Sequence, residues 1–363
     1  MTGHPVLGQF DLAPIPPVDG ELIESHTTGQ QQLADALVAA DPVTDRLFRH
    51  IQLRLIVEGV AGIDPAACDL AGMLVPPRRR VLSRPQRVRR VGCAAGLRFI
   101  DARLAMRRMG ALTYVVDDDS AVVVHAFVEG GTPDGKETNP GIVRATSTKF
   151  APGSGPFVPP PPEYCVPLLR AAVSLANRSP APAVVRAGWL LASVFAIHPF
   201  VDGNGRTARL LLHGLLSEAA PASFDWGTPT TLTSVRKAYS AAARTLTDPS
   251  LPTYDARKLD PLPLIEFVIH RSIEGDRQAV ARLAVLRSSV EATVASGLDE
   301  LDTFLSLAVA ADRNVRLDEL ERFDLPADVV TERVSALVDK GRLAWDDRGH
   351  LQVVGGNPFM GAG

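Results

Sequence analysis

His198, Asp202, Gly203, Asn204, Gly205, Arg206 and Arg209 all fall within the stretch IHPFVDGNGRTAR, residues 197–209, between the apolar runs GWLLASVFA and LLLHGLL. Gly203 and Gly205 lack a Cβ, so the backbone there can turn sharply and approach a ligand closely. Asn204 tolerates left-handed geometry between them. Arg206 and Arg209, three positions apart, leave one face of a helix, and their fork geometry suits phosphate oxygens. Asp202 makes sense beside two arginines if a divalent cation sits between it and an anion. His198 is the residue of this stretch that titrates near neutrality, which suits a general base. Each feature alone could belong to a helix–helix turn. Together they describe a base, a metal carboxylate and an anion cradle of the kind phosphoryl chemistry needs.

Such a loop needs a rigid frame. Residues 184–197 predict an apolar helix that ends near His198, because Pro199 disfavours helical geometry in the residue before it. A second helix starts after Gly-Asn-Gly and carries RTARLLLHGLLSEA. A glycine turn followed by a helix start offers unbonded N–H groups and the positive dipole end to an anion.

Elsewhere, residues 1–30, rich in Pro, Gly and Thr, predict an extended arm. Residues 31–59 fit two helices broken at Asp41–Pro42. Residues 76–90, PPRRRVLSRPQRVRR, hold seven arginines and predict a solvated connection. AAGLRFIDARLAMRR predicts an amphipathic helix, and β-branched content alone makes SAVVVHAFVEGG a strand. Residues 141–157 predict a hairpin or loop, followed by a polyproline spacer and a mostly helical region over 163–275.

The chain is 46% hydrophobic and 22% charged with a formal net charge of −3. That balance supplies an ordinary core and no general affinity for nucleic acid. No apolar run approaches the ~18 residues of a bilayer span, and the N-terminus lacks a signal-peptide pattern. Cys68, Cys93 and Cys165 are odd in number and widely spaced. They predict neither a disulfide framework nor a metal pair, which favours a cytoplasmic location without membrane partners.

His198 through Arg209 match every defined position of the Fic-family motif H-x-F-x-[D/E]-G-N-G-R-x-x-R, and the chain resembles that family over about residues 110–275. NPGIVR, with Arg144, and the hairpin-like STKFAPGSGPFVPPPP extend the likeness. The resemblance places a helix where propensity placed a strand at VVVHAFVEGG, and the helix is preferred. It implies transfer of AMP from ATP to a Ser, Thr or Tyr hydroxyl of a target protein. His198 would be the base and Asp202 the Mg²⁺ ligand. Gly203, Asn204 and Gly205 would form the anion hole, Arg206 and Arg209 would contact the phosphates, and Phe200 would anchor the core. Thr146, Ser147, Thr148, Lys149 and Phe150 would dock the target strand. Retention of Gly205 favours nucleotidyl over phosphoryl transfer; UMP and phosphocholine transfer stay open, because base selection lies outside the motif.

Many family members carry an inhibitory helix, [S/T]-x-x-x-E-[G/N]. RLIVEG, Arg54 to Gly59, is the best candidate here, with Arg54 in place of the Ser or Thr. Glu58 is expected to pair with Arg209 and restrain activity. From Gly297 the pattern of three helices and two short strands predicts a winged-helix-like α/β domain. Residues 300–355 hold twelve acidic against seven basic residues, so DNA is not the expected partner. A regulator binding DNA through this tail, and a retired scaffold, are the competing classes.

The expected fold is thus mainly α: an arm (1–30), an N-terminal helical region (31–109) with the inhibitory candidate at 46–59, and a Fic helical-bundle core with a short β-hairpin flap (110–275). A connecting helix (276–296), the winged-helix-like domain (297–355) and a flexible tail (356–363) follow. A protein substrate, ATP, Mg²⁺ and a second copy of the chain are the expected partners.

Overall fold

Apolar residues at helical spacing run through most of the sequence, and helices dominate the structure. The computed structural model describes residues 8–62, 83–130, 139–147, 157–246, 253–312, 315–320 and 326–355. The chain divides into two compact units: Met1–Gln31, Leu55–Asp64 and Leu82–Asp276 form the first, and Gln32–Arg54, Pro65–Val81 and Arg277–Gly363 the second.

In sequence order the helices are α1 (Gly20–Val38), α2 (Pro42–Ala61), α3 (Arg84–Arg108), α4 (Ser120–Glu129), α5 (Pro162–Arg178), α6 (Ala183–Ile197) and α7 (Asn204–Ala219). Then come α8 (Thr228–Leu232), α9 (Arg236–Thr245), α10 (Leu262–Ala295), α11 (Glu300–Asp312), α12 (Leu317–Leu320) and α13 (Ala327–Asp339), with strands β1 (Leu343–Trp345) and β2 (Leu351–Val353). Among the described residues, no helix is long and apolar enough to cross a membrane.

The centre of the first unit is α7, packed against α3, α4 and α6. Nearly every α7 residue from Asn204 to Ser217 is buried, including Leu210, Leu211 and Leu212 at 0% exposure. A helix buried on all sides lies in the middle of a core, so its polar residues must find partners there. On α6, Trp189, Leu190, Leu191, Val194 and Ile197 are also fully buried. Truncating any one of these leucines to alanine costs about 2–5 kcal/mol. The motif loop joins two largely buried helices, and that packing positions the site.

Four sequence expectations need correction. The extended arm ends at residue 19, because α1 begins at Gly20, with Asp19 Oδ1 accepting the Glu21 N–H (2.9 Å). The buried or half-buried face of α1 includes Leu22, His26, Gly29 and Leu33, so polar and small residues stand where apolar ones would have signalled a helix. The arm itself is docked: the Trp189 indole donates to the Ala13 carbonyl (3.0 Å) and the Tyr254 hydroxyl to that of Asp11 (2.6 Å). The second half of the basic connection is helical, since Ser83 and Gln86 form a reciprocal capping box at the start of α3.

The core's last helix and the connecting helix are one continuous element, α10. No Pro or Gly-rich break interrupts it, and the lone Gly275 is tolerated. The preferred helix at Ser120–Glu129 is present as α4. Most of the expected hairpin, including Thr148, Lys149 and Phe150, lies outside the described residues, whereas Thr146 and Ser147 lie in a segment without regular structure.

In the second unit, α11, α12 and α13 precede an antiparallel β1–β2 pair in register Leu343↔Val353 and Trp345↔Leu351, the expected order of elements. Val315 forms an isolated antiparallel bridge to Leu351. Val330, Val334, Leu337, Leu343 and Leu351 build its core with Phe304 and Leu305. Arg333 of α13 is engaged by Asp299 (2.7 Å), so this helix offers little free positive charge.

Candidate active site

The end of α6 places His198. The helix stops at Ile197 as Pro199 requires, and His198 caps it at φ 48°, ψ 59°. This left-handed conformation costs a non-glycine residue ~1–2 kcal/mol. The half-buried imidazole has its pKa pushed down to about 4. Burial is the main cause and the Arg144 charge the second, while Asp202 opposes both. The ring is therefore neutral at neutral pH and able to accept a proton.

Phe200 and Asn204 close the loop on itself. Asn204 Oδ1 accepts the Phe200 N–H (3.0 Å) and its Nδ2 donates to the Phe200 carbonyl (2.8 Å). The Asn204 carboxamide is thus engaged inside the loop, and its backbone N–H remains to offer to an anion. Phe200 is fully buried, as expected of an anchor, and stacks on His125 of α4 with centroids 3.8 Å apart and planes 3° from parallel.

His125 bridges two segments. Its Nδ1 accepts the Gly141 N–H (3.0 Å), so Nε2 carries the proton and donates to the Asp202 carbonyl (3.0 Å). Burial, the main cause, holds its pKa at about 4, which preserves this tautomer.

Gly203, at φ 76°, is the N-cap of α7. A Cβ here would also lie 2.5 Å from Glu129 Oε1. Both constraints demand glycine. Asp202 Oδ1 accepts the Gly203 N–H (2.6 Å), and its carboxylate is 60% exposed. The first-turn N–H groups of α7 have no acceptor within the helix by the geometry of helix starts.

Arg206 does not stand open. Its guanidinium pairs with Glu129 (2.6 Å), with side-chain exposures of 8% and 1%, and lies 3.5 Å from Asp202 Oδ2. Arg209 donates Nε (3.0 Å) and a terminal nitrogen (2.6 Å) to the Val60 carbonyl in the last turn of α2. The expected Glu58–Arg209 ion pair is not formed; Glu58 is half-buried one turn end away, and the main chain takes the place of its carboxylate. Gly59 packs so closely on the Pro229 carbonyl that a Cβ would meet it at 1.9 Å, so the last turn of α2 is seated tightly there.

Glu129 and Val60 were not foreseen as participants. Glu129 had a signal: His125 and Glu129 stand at i and i+4 as polar residues in the otherwise apolar AVVVHAFVE, so both must find buried partners on one helix face. Val60 had none, because its contribution is a carbonyl.

A Mg²⁺ ion accompanying a nucleotide is held by one or two carboxylates plus phosphate oxygens. The exposed Asp202 carboxylate at the loop fits that need. No group of three or more His, Cys, Asp or Glu suited to holding a metal alone occurs among the described residues.

Residues 119–216 match the model of the Fic/DOC family, so this segment, which contains α4 to α7 and the loop, is a Fic domain. The match spans residues 119–216 of the 363, so the family is shown for this segment. Over 126 residues it is 31% identical to protein adenylyltransferase fic-1 of Caenorhabditis briggsae, a match covering 34% of this chain and only 23% of that protein. Its fold is similar to Fic-1 (residues 134–508) from C. elegans, with a TM-score of 0.51, 19% identity and 72% of each chain covered. It is likewise similar to a Fic domain containing signaling protein from Bacteroides thetaiotaomicron VPI-5482, with a TM-score of 0.51, 15% identity, and 71% of this chain and 98% of that one covered.

Proposed function

We propose that the chain is a protein adenylyltransferase, moving AMP from ATP to a Ser, Thr or Tyr hydroxyl of a protein. The observation that carries this reading is the neutral imidazole of His198 in one short loop with the exposed Asp202 carboxylate and the amino end of α7.

His198 takes the proton of the target hydroxyl. The hydroxyl oxygen forms a bond to the α-phosphorus of ATP, and the bond from that phosphorus to the bridging oxygen breaks, releasing pyrophosphate. Phosphorus transfer asks the protein for positioning and charge neutralisation. The first-turn amides of α7 supply fixed donors for phosphate oxygens. Arg206, oriented by Glu129, adds a charge at their flank. Asp202 would hold Mg²⁺, which neutralises phosphate charge when bound. The name of the C. briggsae relative supports the class of reaction.

The test is incubation with ATP labelled at the α-phosphate, with His198→Ala as control. Label retained on protein by the wild type and lost in the variant supports the reading; equal labelling by both overturns it.

A further inference from the structure

Arg144 is 4% exposed and lies in the 139–147 segment, far from the motif loop in sequence. Its backbone N–H donates to the Pro199 carbonyl (2.9 Å). Its Nε donates to the His198 carbonyl (2.8 Å) and a terminal nitrogen reaches that of Ile197 (3.4 Å). One residue thus bonds three consecutive carbonyls around the end of α6. The rest of the guanidinium donates to Thr146 (3.1 Å) and Pro160 (2.5 Å), again at carbonyls.

No ion pair joins Arg144 to a carboxylate among the described residues. A buried cation without an acid is costly unless hydrogen bonds and dipoles satisfy it. Here the negative end of α6 supplies them, since Ile197 and His198 present the last carbonyls of that helix. A planar fork of five donors can serve carbonyls in several directions; a lysine ammonium has three donors at one point.

Resting on the reading of His198 as the base, we propose that Arg144 is its positioning residue. It locks residues 197–199 in the left-handed turn that presents the imidazole, and ties that turn to the backbone at Thr146 and Pro160. The Arg144 charge acts in the same sense, keeping the imidazole unprotonated. Asp202 also acts on that ring, and it pulls the opposite way.

The experiment compares wild type, Arg144→Lys and Arg144→Gln without nucleotide, by amide hydrogen exchange and by NMR titration of the His198 imidazole. In Arg144→Gln, exchange in peptides covering 144–147, 157–160 and 197–203 is expected to rise together by roughly tenfold, while α5 and α7 stay within about twofold. The His198 pKa is expected to climb from about 4 toward the ordinary imidazole value. In Arg144→Lys the exchange also rises, because the fork is lost, but the pKa stays low, because the charge is kept. Unchanged exchange at 197–203 in both variants overturns the proposal. So does a rise confined to 144–147 and 157–160. If Arg144→Gln does not fold, the lysine variant decides by the same exchange criterion. AMP transfer is measured on the same samples: absent transfer by wild type would sink the adenylyltransferase reading, and the exchange result would still judge the tether.

Discussion

Arg209 is bound by the backbone of Val60 and not by the carboxylate of Glu58. Two hydrogen bonds of 3.0 and 2.6 Å join its guanidinium to that one carbonyl. The carboxyl end of α2 thus occupies donors that, in the proposed function, Arg209 would offer to a nucleotide phosphate. Glu58→Gln is expected to leave ATP affinity within about twofold, since it removes no contact to Arg209. Gly59→Ala is expected to raise ATP affinity roughly tenfold, equivalent to ~1.4 kcal/mol. Its new Cβ meets the Pro229 carbonyl at 1.9 Å, so the last turn of α2 must lift and release Arg209. Calorimetric titration with MgATP checks both; the reverse ranking of the two variants would refute the steric account.

With His198 as the proposed base, its depressed pKa sets the pH dependence of the proposed transfer. The base acts when neutral, and burial, helped by Arg144, keeps it neutral down to about pH 4. Transfer at saturating MgATP should stay level as pH falls below neutrality and decline only toward that value. An ordinary histidine would already decline below about 6.5. A rate profile with its acid limb near the ordinary value would show that the half-buried ring is not the base, or not so buried.

Glu129 and Arg206 form a pair too buried for water to replace either partner. Glu129→Ala should destabilise the protein by about 3–5 kcal/mol, the cost of leaving a buried charge uncompensated. The double variant with Arg206→Ala should cost clearly less than the two single variants summed. Urea unfolding of the four proteins measures this, and strict additivity would contradict the pairing.

Asp276 gives stability a second pH dependence. Burial, with the Asp225 charge second, pushes its pKa from 3.8 up to about 8. The folded state therefore keeps a proton that the unfolded chain has released, and stability is lost as pH rises through this window. Asp276→Asn, which cannot ionise, should be the more stable protein at pH 8, by on the order of 1 kcal/mol or more. The difference should vanish at acid pH. Melting curves across pH test the sign, and a variant less stable than wild type at pH 8 would reverse it.

The sequence was most informative where one residue type serves one geometry. Pro199 marked the end of α6 and Gly203 the turn into α7, because few other residues fit those positions. The motif loop was legible for the same reason. The first half of α1, residues 20–30, was missed because His26 and Gly29 interrupt its inner stripe, whereas its second half fell within the expected helices. The start of α3 was readable from Ser83 and Gln86 but hidden by the surrounding arginines. Arg209's partner was not readable, because a carbonyl carries no side-chain identity. Asn204 shows the limit within the motif itself: its residue type suggested a ligand donor, whereas its amide is spent on Phe200.

The most direct test of the account compares protein labelling from ATP carrying the label at the α- or the γ-phosphate, with MgCl₂, for wild type and His198→Ala. The account predicts α-label on the protein, no γ-label, and loss of the α-label in the variant. Incorporation of γ-label, or α-labelling that survives removal of His198, would contradict it.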